Sequence, residues 1–267
     1  MTRRKKRFKK RDFSKGVYLL PNLATSLNLF CGFFSVVSSL DGHFVQASVA
    51  IIVAGVFDNL DGRIARATRS TSRFGVEYDS LADLVSFGMA PALLAFLWAL
   101  RPFGRLGWLA AFLFVACGAL RLARFNTQVG QTDGSRFTGL PIPAAAGMAA
   151  TLVLFHGRLG HPMPVHPLAV LVLLYALSYL MVSSIPYHSF KKKVEHRSFN
   201  SLVLTLLVLI FIAAEPDVAL FMVAVTYMVS GPVRFLYERL KHSKEDEPEA
   251  MPLAKPEENS GPAGSSG

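Results

Sequence analysis

The chain has 267 residues, 52% of them hydrophobic and only 17% charged, with a formal net charge of +10. Average soluble domains carry roughly 25% charge, and the mean hydropathy here is +0.38. A soluble globule this apolar would expose large sticky patches, so an ordinary soluble enzyme or binding module is excluded and lipid is the natural solvent for most of the chain.

The first element, residues 1–16, is a basic segment. Arg3, Arg4, Lys5, Lys6, Arg7, Lys9, Lys10, Arg11 and Lys15 stand against the single acid Asp12. Beside a membrane segment such a run reads as a cytoplasmic anchor on anionic lipid, and no nucleic-acid partner is expected. The apolar sequence after it has no small-residue cleavage site leading into a soluble domain, so it is not read as a signal peptide.

Apolar segments then recur at Leu23–Leu40, Ala47–Leu60, Leu84–Leu100, Leu106–Phe125, Leu140–Phe155, Leu168–Ile185, Leu202–Ala214 and Val218–Leu236. A span needs about 20 residues, so the shorter runs must borrow polar residues at their ends. The pattern predicts an all-α, polytopic membrane helical bundle over residues 17–240, with about eight spans. Glu215-Pro216 interrupts the last pair, which could instead form one re-entrant hairpin. Residues 241–267 are rich in Glu, Lys, Pro, Gly and Ser and are read as a disordered tail.

Charge in the connections gives an orientation. One alternating set holds the N-terminus, Arg63, Arg66, Arg69, Arg73, Arg136, Lys191, Lys192, Lys193 and Arg197; the other holds Arg101, Arg105 and Arg158. That asymmetry is the positive-inside pattern. It places both termini in the cytoplasm and makes the chain integral to the cell (inner or plasma) membrane. Cys31 and Cys117 sit in apolar runs and read as small buried hydrophobes. The scattered His residues, among them His43, His161, His166 and His242, form no zinc or triad arrangement.

The chemistry concentrates between Asp58 and Asp83. Asp58 closes one apolar run and Asp83 opens the next, and carboxylates at the edge of a span are costly and usually functional. Asp58 and Asp61 share a helix face at i,i+3, as do Asp79 and Asp83 at i,i+4. Two antiparallel helices joined by a short basic turn would bring these carboxylates together. They would repel one another unless positive charge sat between them. Arginines could serve, but four gathered acids suggest divalent ions, and oxygen ligands favour Mg²⁺, Mn²⁺ or Ca²⁺ over zinc. Small residues Gly62, Ala65, Gly75 and Gly88 permit close helix approach or leave room for a ligand. Arginines beside hard cations suit a pyrophosphate. The bland alternative is a salt-bridged helical hairpin without a ligand.

The pattern Asp58-x2-Asp61-Gly62-x2-Ala65-Arg66-x8-Gly75-x3-Asp79-x3-Asp83 resembles the signature of the CDP-alcohol phosphatidyltransferase family at every fixed position. Three further stretches are similar to the membrane-bound (type II) phosphatidylserine synthases of bacteria and archaea. These are Leu20–Thr25 with Asn28–Gly32, Arg121–Asn126, and Phe137–Ala146. The resemblance covers about residues 17–190. It implies a six-helix core, here followed by two C-terminal helices, and transfer of the phosphatidyl group of CDP-diacylglycerol to L-serine with release of CMP. By that resemblance Asp58, Asp61 and Asp79 hold two divalent ions, Mg²⁺ or Mn²⁺. Asp83 joins them or serves as the base that accepts the serine hydroxyl proton. Gly62, Ala65 and Arg66 match positions that contact the CDP part, with Gly75 beside them, and a homodimer is expected.

Arg121 and Arg124 are candidates for the lipid phosphate or the serine carboxylate, or else serve positive-inside anchoring; Arg136 is a similar candidate. Lys191–Lys193 reads as an orientation signal. Asn22, Thr25 and Asn28 share a face of the first span and either line a cavity or bind a neighbouring helix. Pro141 and Pro143 fit a helix start. Two rival readings remain: the same chemistry with glycerol phosphate, inositol phosphate or choline as acceptor, and an ion-coupled transporter using the acids as an ion site.

Overall fold

The computed structural model describes residues 19–68, 72–128, 139–160, 166–185, 187, 203 and 214–245. Among these the regular secondary structure is entirely helical. The main helices are α1 (Leu19–Leu40), α2 (Phe44–Ala67), α3 (Arg73–Phe103), α4 (Arg105–Gln128), α5 (Ile142–Arg158), α6 (Pro167–Val182) and α7 (Pro216–Glu245). The basic N-terminal run, Arg69, Arg136, Lys191–Lys193 and most of the apolar segment 202–214 lie outside the described residues.

Among the described residues five helices are long and apolar enough to cross a membrane: α1, α2, α3, α4 and α7. With its outward-facing apolar side chains, the bundle is that of an integral membrane protein. Leu23, Phe30 and Phe33 of α1, Phe112 and Leu120 of α4 and Leu168 and Val172 of α6 are all exposed, which suits lipid and not water.

Two of the expected spans fall short of a full membrane crossing. Helix α5 has 17 residues and α6 has 16, against the roughly 20 of a full span. Helix α5 starts late, at Ile142, and α6 stops early, at Val182, where Ser183 turns extended. Gly139 takes φ +85°, its N–H donates to the Ile185 carbonyl at 2.9 Å, and a Cβ there would meet the Ser183 carbonyl oxygen at 3.0 Å. Pro141 then caps α5, with Pro143 in its first turn, where missing N–H groups cost no intrahelical bond. Pro167 opens α6 in the same way.

Two other helices exceed the apolar runs that announce them. Helix α2 continues past Leu60 to Ala67, and α3 starts at Arg73, before the acids rather than after them. Ser72 caps α3 by accepting the Gly75 N–H at 3.0 Å, and polar helix formers carry it into the apolar stretch. Helix α7 runs to Glu245, past the boundary expected at 240, through Arg239, Lys241 and Lys244, whose helix propensity is good.

Helix α3 is the axis of the bundle. Phe87, Leu94, Trp98 and Leu100 are fully buried in the core. Its winding is not uniform: Leu84–Met89 and Phe96–Leu100 are π-helical turns, a rare form that concentrates at functional sites. The first of them begins directly after Asp83. Helix α1 packs along α2 and also against α3. The α1–α2 turn is tight: Gly42 at φ +79° ends α1 in a Schellman motif, the His43 N–H reaching the Ser38 carbonyl at 2.8 Å and the Gly42 N–H that of Ser39 at 3.2 Å. Helix α7 lies against α5, with Phe221 stacked on Phe155 at 4.8 Å between ring centroids and Arg158 paired to Glu215.

Candidate active site

The acids of the two helices meet as expected, but through their side chains and not through close backbone packing. The first helix stands against both acidic helices, and α2 and the acidic start of α3 hardly touch along their backbones. The acids therefore converge from two sides beside α1, leaving an open groove.

Asp58 and Asp61 of α2 and Asp79 of α3 each offer a carboxylate oxygen, and these oxygens lie within 4.8 Å of one another. Asp61 is only 5% exposed. The hydroxyl of Thr25 on α1 donates to Asp61 Oδ2 at 2.9 Å. Asp79 Oδ1 is buried and has no hydrogen-bond partner. An unpaired buried acceptor is expensive, and three converging carboxylates repel. Hard divalent cations answer both problems at once, and the all-oxygen donor set fits Mg²⁺, Mn²⁺ or Ca²⁺.

Asp83 is not in this group. It sits one turn further along α3, buried, with the three other acids within electrostatic reach. Its Oδ1 accepts from the side-chain amide of Asn28 on α1 at 3.1 Å. The four acids thus divide into a cluster of three and a separate fourth.

Beside the cluster opens a cavity of about 160 Å³. Asp61, Gly62, Ala65 and Arg66 of α2 line one wall, Gly75, Val76 and Asp79 of α3 another, and Pro21, Asn22 and Thr25 of α1 the third. All four residues expected around the CDP part are therefore together. Gly62 makes room for its own neighbour: a Cβ there would sit 3.3 Å from an Arg66 guanidinium nitrogen. Gly75 has a comparable part, since a Cβ would lie 3.2 Å from Ser72 Oγ.

The polar face of α1 does both things expected of it. Asn22 lines the cavity, while Thr25 and Asn28 bind acids of the neighbouring helices. Arg121 and Arg124, expected as a pair, separate. Arg121 of α4 is largely buried, its Nε has no hydrogen-bond partner, and Asp83 and Tyr227 are within electrostatic reach. Arg124 is exposed. Gly88 is buried with Ser86 and Phe87 in the first π-helical stretch, and a Cβ there would meet Leu84 Cδ1 at 3.0 Å.

Several residues of the site were not picked out by spacing. Ser72 lines the cavity and caps α3; its position three residues before Gly75 was the available signal. Asn126 of α4 donates to Ser80 at 3.0 Å and lies 3.4 Å from Glu77, holding the start of α3 against α4. Ser26 and Tyr78 pair at 2.9 Å, joining α1 to the same turn of α3.

Comparison with known proteins agrees with this geometry. The family model described as CDP-alcohol phosphatidyltransferase matches residues 18–230. A CDP-diacylglycerol–serine O-phosphatidyltransferase of Helicobacter pylori is 38% identical over 225 residues, 84% of this chain and 94% of that protein. An archaetidylserine synthase of Methanothermobacter thermautotrophicus is 40% identical over 172 residues, 63% of this chain and 69% of its own length. A CDP-diacylglycerol–serine O-phosphatidyltransferase of Bacillus subtilis is 38% identical over 174 residues, 65% of this chain and 92% of its own length. Signature acids gathered beside one cavity, a family match over most of the length and these relatives lead to one conclusion: the chain belongs to the CDP-alcohol phosphatidyltransferase family.

Proposed function

We propose that this membrane enzyme transfers the phosphatidyl group of CDP-diacylglycerol to L-serine, giving phosphatidylserine and CMP. The observation that carries the reading is the meeting of Asp58, Asp61 and Asp79 within 4.8 Å at a cavity walled by Gly62, Ala65, Arg66 and Gly75. The serine-using relatives supply the acceptor.

Asp58, Asp61 and Asp79 would hold two divalent ions, Mg²⁺ or Mn²⁺, with Ca²⁺ able to fill the same oxygen set. Bound there, the ions neutralise the pyrophosphate and stabilise the charge that develops on departing CMP. Gly62, Ala65 and Gly75 let the CDP part approach the backbone, and Arg66 at the rim offers charge-assisted hydrogen bonds to phosphate oxygens. Arg121, a largely buried cation with an unpaired Nε, takes the serine carboxylate. Asp83 accepts the hydroxyl proton, a role for which its separation from the three-acid cluster suits it. The serine oxygen forms its bond to the phosphorus bearing the diacylglycerol, and the bond from that phosphorus to the CMP oxygen breaks. The proton stays on Asp83 until solvent removes it.

In this reading residues 1–16 rest on anionic lipid, and the catalytic domain extends from residue 17 through the end of α7 at Glu245. Both termini and the site face the cytoplasm, as the positive-inside pattern requires, and the protein works as a homodimer. Asp58 and Asp83 bound the acidic stretch that makes a purely structural role or an ion-coupled transporter the weaker explanation, because neither needs the wall of Gly62, Ala65, Arg66 and Gly75 in the cavity beside the acids.

The test is direct. Purified protein in mixed micelles is given CDP-diacylglycerol and labelled serine, with Mg²⁺, with Mn²⁺ or with chelator. Label in the lipid fraction together with stoichiometric CMP, abolished by chelation, is the expected result. Equal or faster CMP release with glycerol phosphate, inositol phosphate or choline would reassign the acceptor. Ion uptake into vesicles without CMP release would overturn the enzyme reading.

A further inference from the structure

Asn28 is 0% exposed, in the middle of the first membrane helix. Its side-chain amide donates to Asp83 Oδ1 at 3.1 Å. Its backbone carbonyl accepts from the hydroxyl of Ser86 at 2.9 Å. Asp83 and Ser86 flank the entry into the π-helical turn Leu84–Met89, so α1 grips α3 at one residue through side chain and main chain together. The grip is close because Gly32, one turn further along α1, faces the same Ser86: a Cβ at Gly32 would lie 2.7 Å from Ser86 Cα.

The arrangement carries a penalty. With the amide nitrogen committed to Asp83, Asn28 Oδ1 is buried without a partner, and such an acceptor destabilises the fold. Reversing the amide would set two oxygens against each other. An apolar side chain would avoid the loss, so helix packing does not account for the amide. A fixed direction for the Asp83 carboxylate does. One oxygen of Asp83 is held by Asn28, which fixes the plane of the carboxylate and so the direction of its second oxygen.

We infer that Asn28 is a positioning residue for the transfer reaction, acting through Asp83 by locking the rotamer in which its free oxygen addresses the acceptor. This rests on the reading of Asp83 as the proton acceptor. Asn28 is not among the residues that line the cavity beside the acids, so it is separable from binding of the CDP part.

The experiment compares Asn28→Ala, Asn28→Asp and Asp83→Asn with the unaltered full-length protein in detergent. The readouts are kcat, KM for each substrate, and the thermal stabilisation produced by Mn²⁺ with CDP-diacylglycerol. For the Asn28 variants kcat should fall about 10²-fold, the scale of a misdirected general base. Both KM values should stay within about threefold and the ligand-induced stabilisation should persist, since uniform binding is untouched. A kcat within about threefold of the parent, a rise confined to the serine KM, or loss of the ligand-induced stabilisation overturns the inference, the last by assigning Asn28 a merely structural part. If neither Asn28 variant folds, Ser86→Ala decides: it keeps the amide but releases its anchor, and kcat should fall about tenfold with KM unchanged. Undiminished kcat in Ser86→Ala then sinks the idea. Full turnover by Asp83→Asn would remove the base reading and this inference with it, whereas a dead Asp83→Asn beside fully active Asn28 variants removes the inference alone.

Discussion

Thr25 on α1 donates its hydroxyl to Asp61 Oδ2 on α2 at 2.9 Å, at a point where Thr25 is 3% and Asp61 5% exposed. The bond fixes one carboxylate of the three-acid cluster from outside the signature stretch. Groups that orient a metal-binding carboxylate usually change metal affinity or activity by about 10–100-fold when removed. Thr25→Val keeps the shape and loses the donor. The Mn²⁺ concentration for half-maximal activity should rise by about that factor, while Thr25→Ser should stay near the parent. A midpoint unmoved in the valine variant would show that Asp61 needs no help from α1.

Asp79 supplies the sharpest check on the cations themselves. Its Oδ1 is buried without a partner, and its carboxylate lies within 4.8 Å of those of Asp58 and Asp61. Ions that bind only the folded state add about 2.7 kcal/mol of stability at one hundred times their dissociation constant. Mn²⁺ should therefore raise the melting temperature of the parent, and chelator should reverse it. Asp79→Asn should melt at the same temperature with and without Mn²⁺ and release no CMP. Because neutralising one of three crowded acids relieves repulsion, its metal-free form should be at least as stable as the metal-free parent. An undiminished Mn²⁺ shift in this variant would place the ions elsewhere.

Arg121 and Arg124, equivalent by spacing, are predicted to behave differently. Arg121 is largely buried with an unpaired Nε, and Arg124 is exposed. A charge-assisted hydrogen bond contributes about 1.5–3 kcal/mol, so Arg121→Ala should raise the serine KM by one to two orders of magnitude. The KM for CDP-diacylglycerol should hardly move, and Arg124→Ala should leave both constants within about twofold, as surface substitutions usually do. Equal effects of the two substitutions would return both arginines to simple membrane anchoring.

The residues that were legible in the sequence are those whose chemistry is out of place. Asp58, Asp61, Asp79 and Asp83 stand out because carboxylates at a membrane boundary are costly, and their i,i+3 and i,i+4 spacing fixes a shared face. The structure brings the first three together. What spacing could not show is that the fourth turns to α1. Its partner is Asn28 on another helix, and periodicity along one helix carries no mark of a tertiary partner. Apolar runs leave helix limits open, because how far each span borrows polar residues is not set by hydropathy: α2 and α3 extend through Arg63, Arg66 and Glu77, which are good helix formers whatever the solvent. The division between Arg121 and Arg124 was equally hidden, because it comes from tertiary burial of Arg121, with Asp83 of α3 and Tyr227 of α7 near it.

The seat of α7 offers a stability prediction that bears on the site. Tyr187 donates its hydroxyl to the Met228 carbonyl at 3.1 Å, and its ring lies 5.7 Å from that of Tyr227. The ring covers Gly231, where a Cβ would come within 2.7 Å of Tyr187 Cε2. Overpacking of this kind costs about 1–3 kcal/mol, so Gly231→Ala should lower the melting temperature. In a Tyr187→Leu background the same change should be nearly silent, because the clashing ring is gone; the non-additivity of the two changes measures their contact. Gly147 in α5 is the control, since a Cβ there meets nothing within 4 Å and Ala favours a helix over Gly by about 1 kcal/mol. Gly147→Ala should therefore be neutral or stabilising. If α7 helps hold Arg121 through Tyr227, Gly231→Ala should also raise the serine KM and Gly147→Ala should not. A destabilised Gly231→Ala protein with an unchanged serine KM would separate the anchoring of the last helix from the acceptor site.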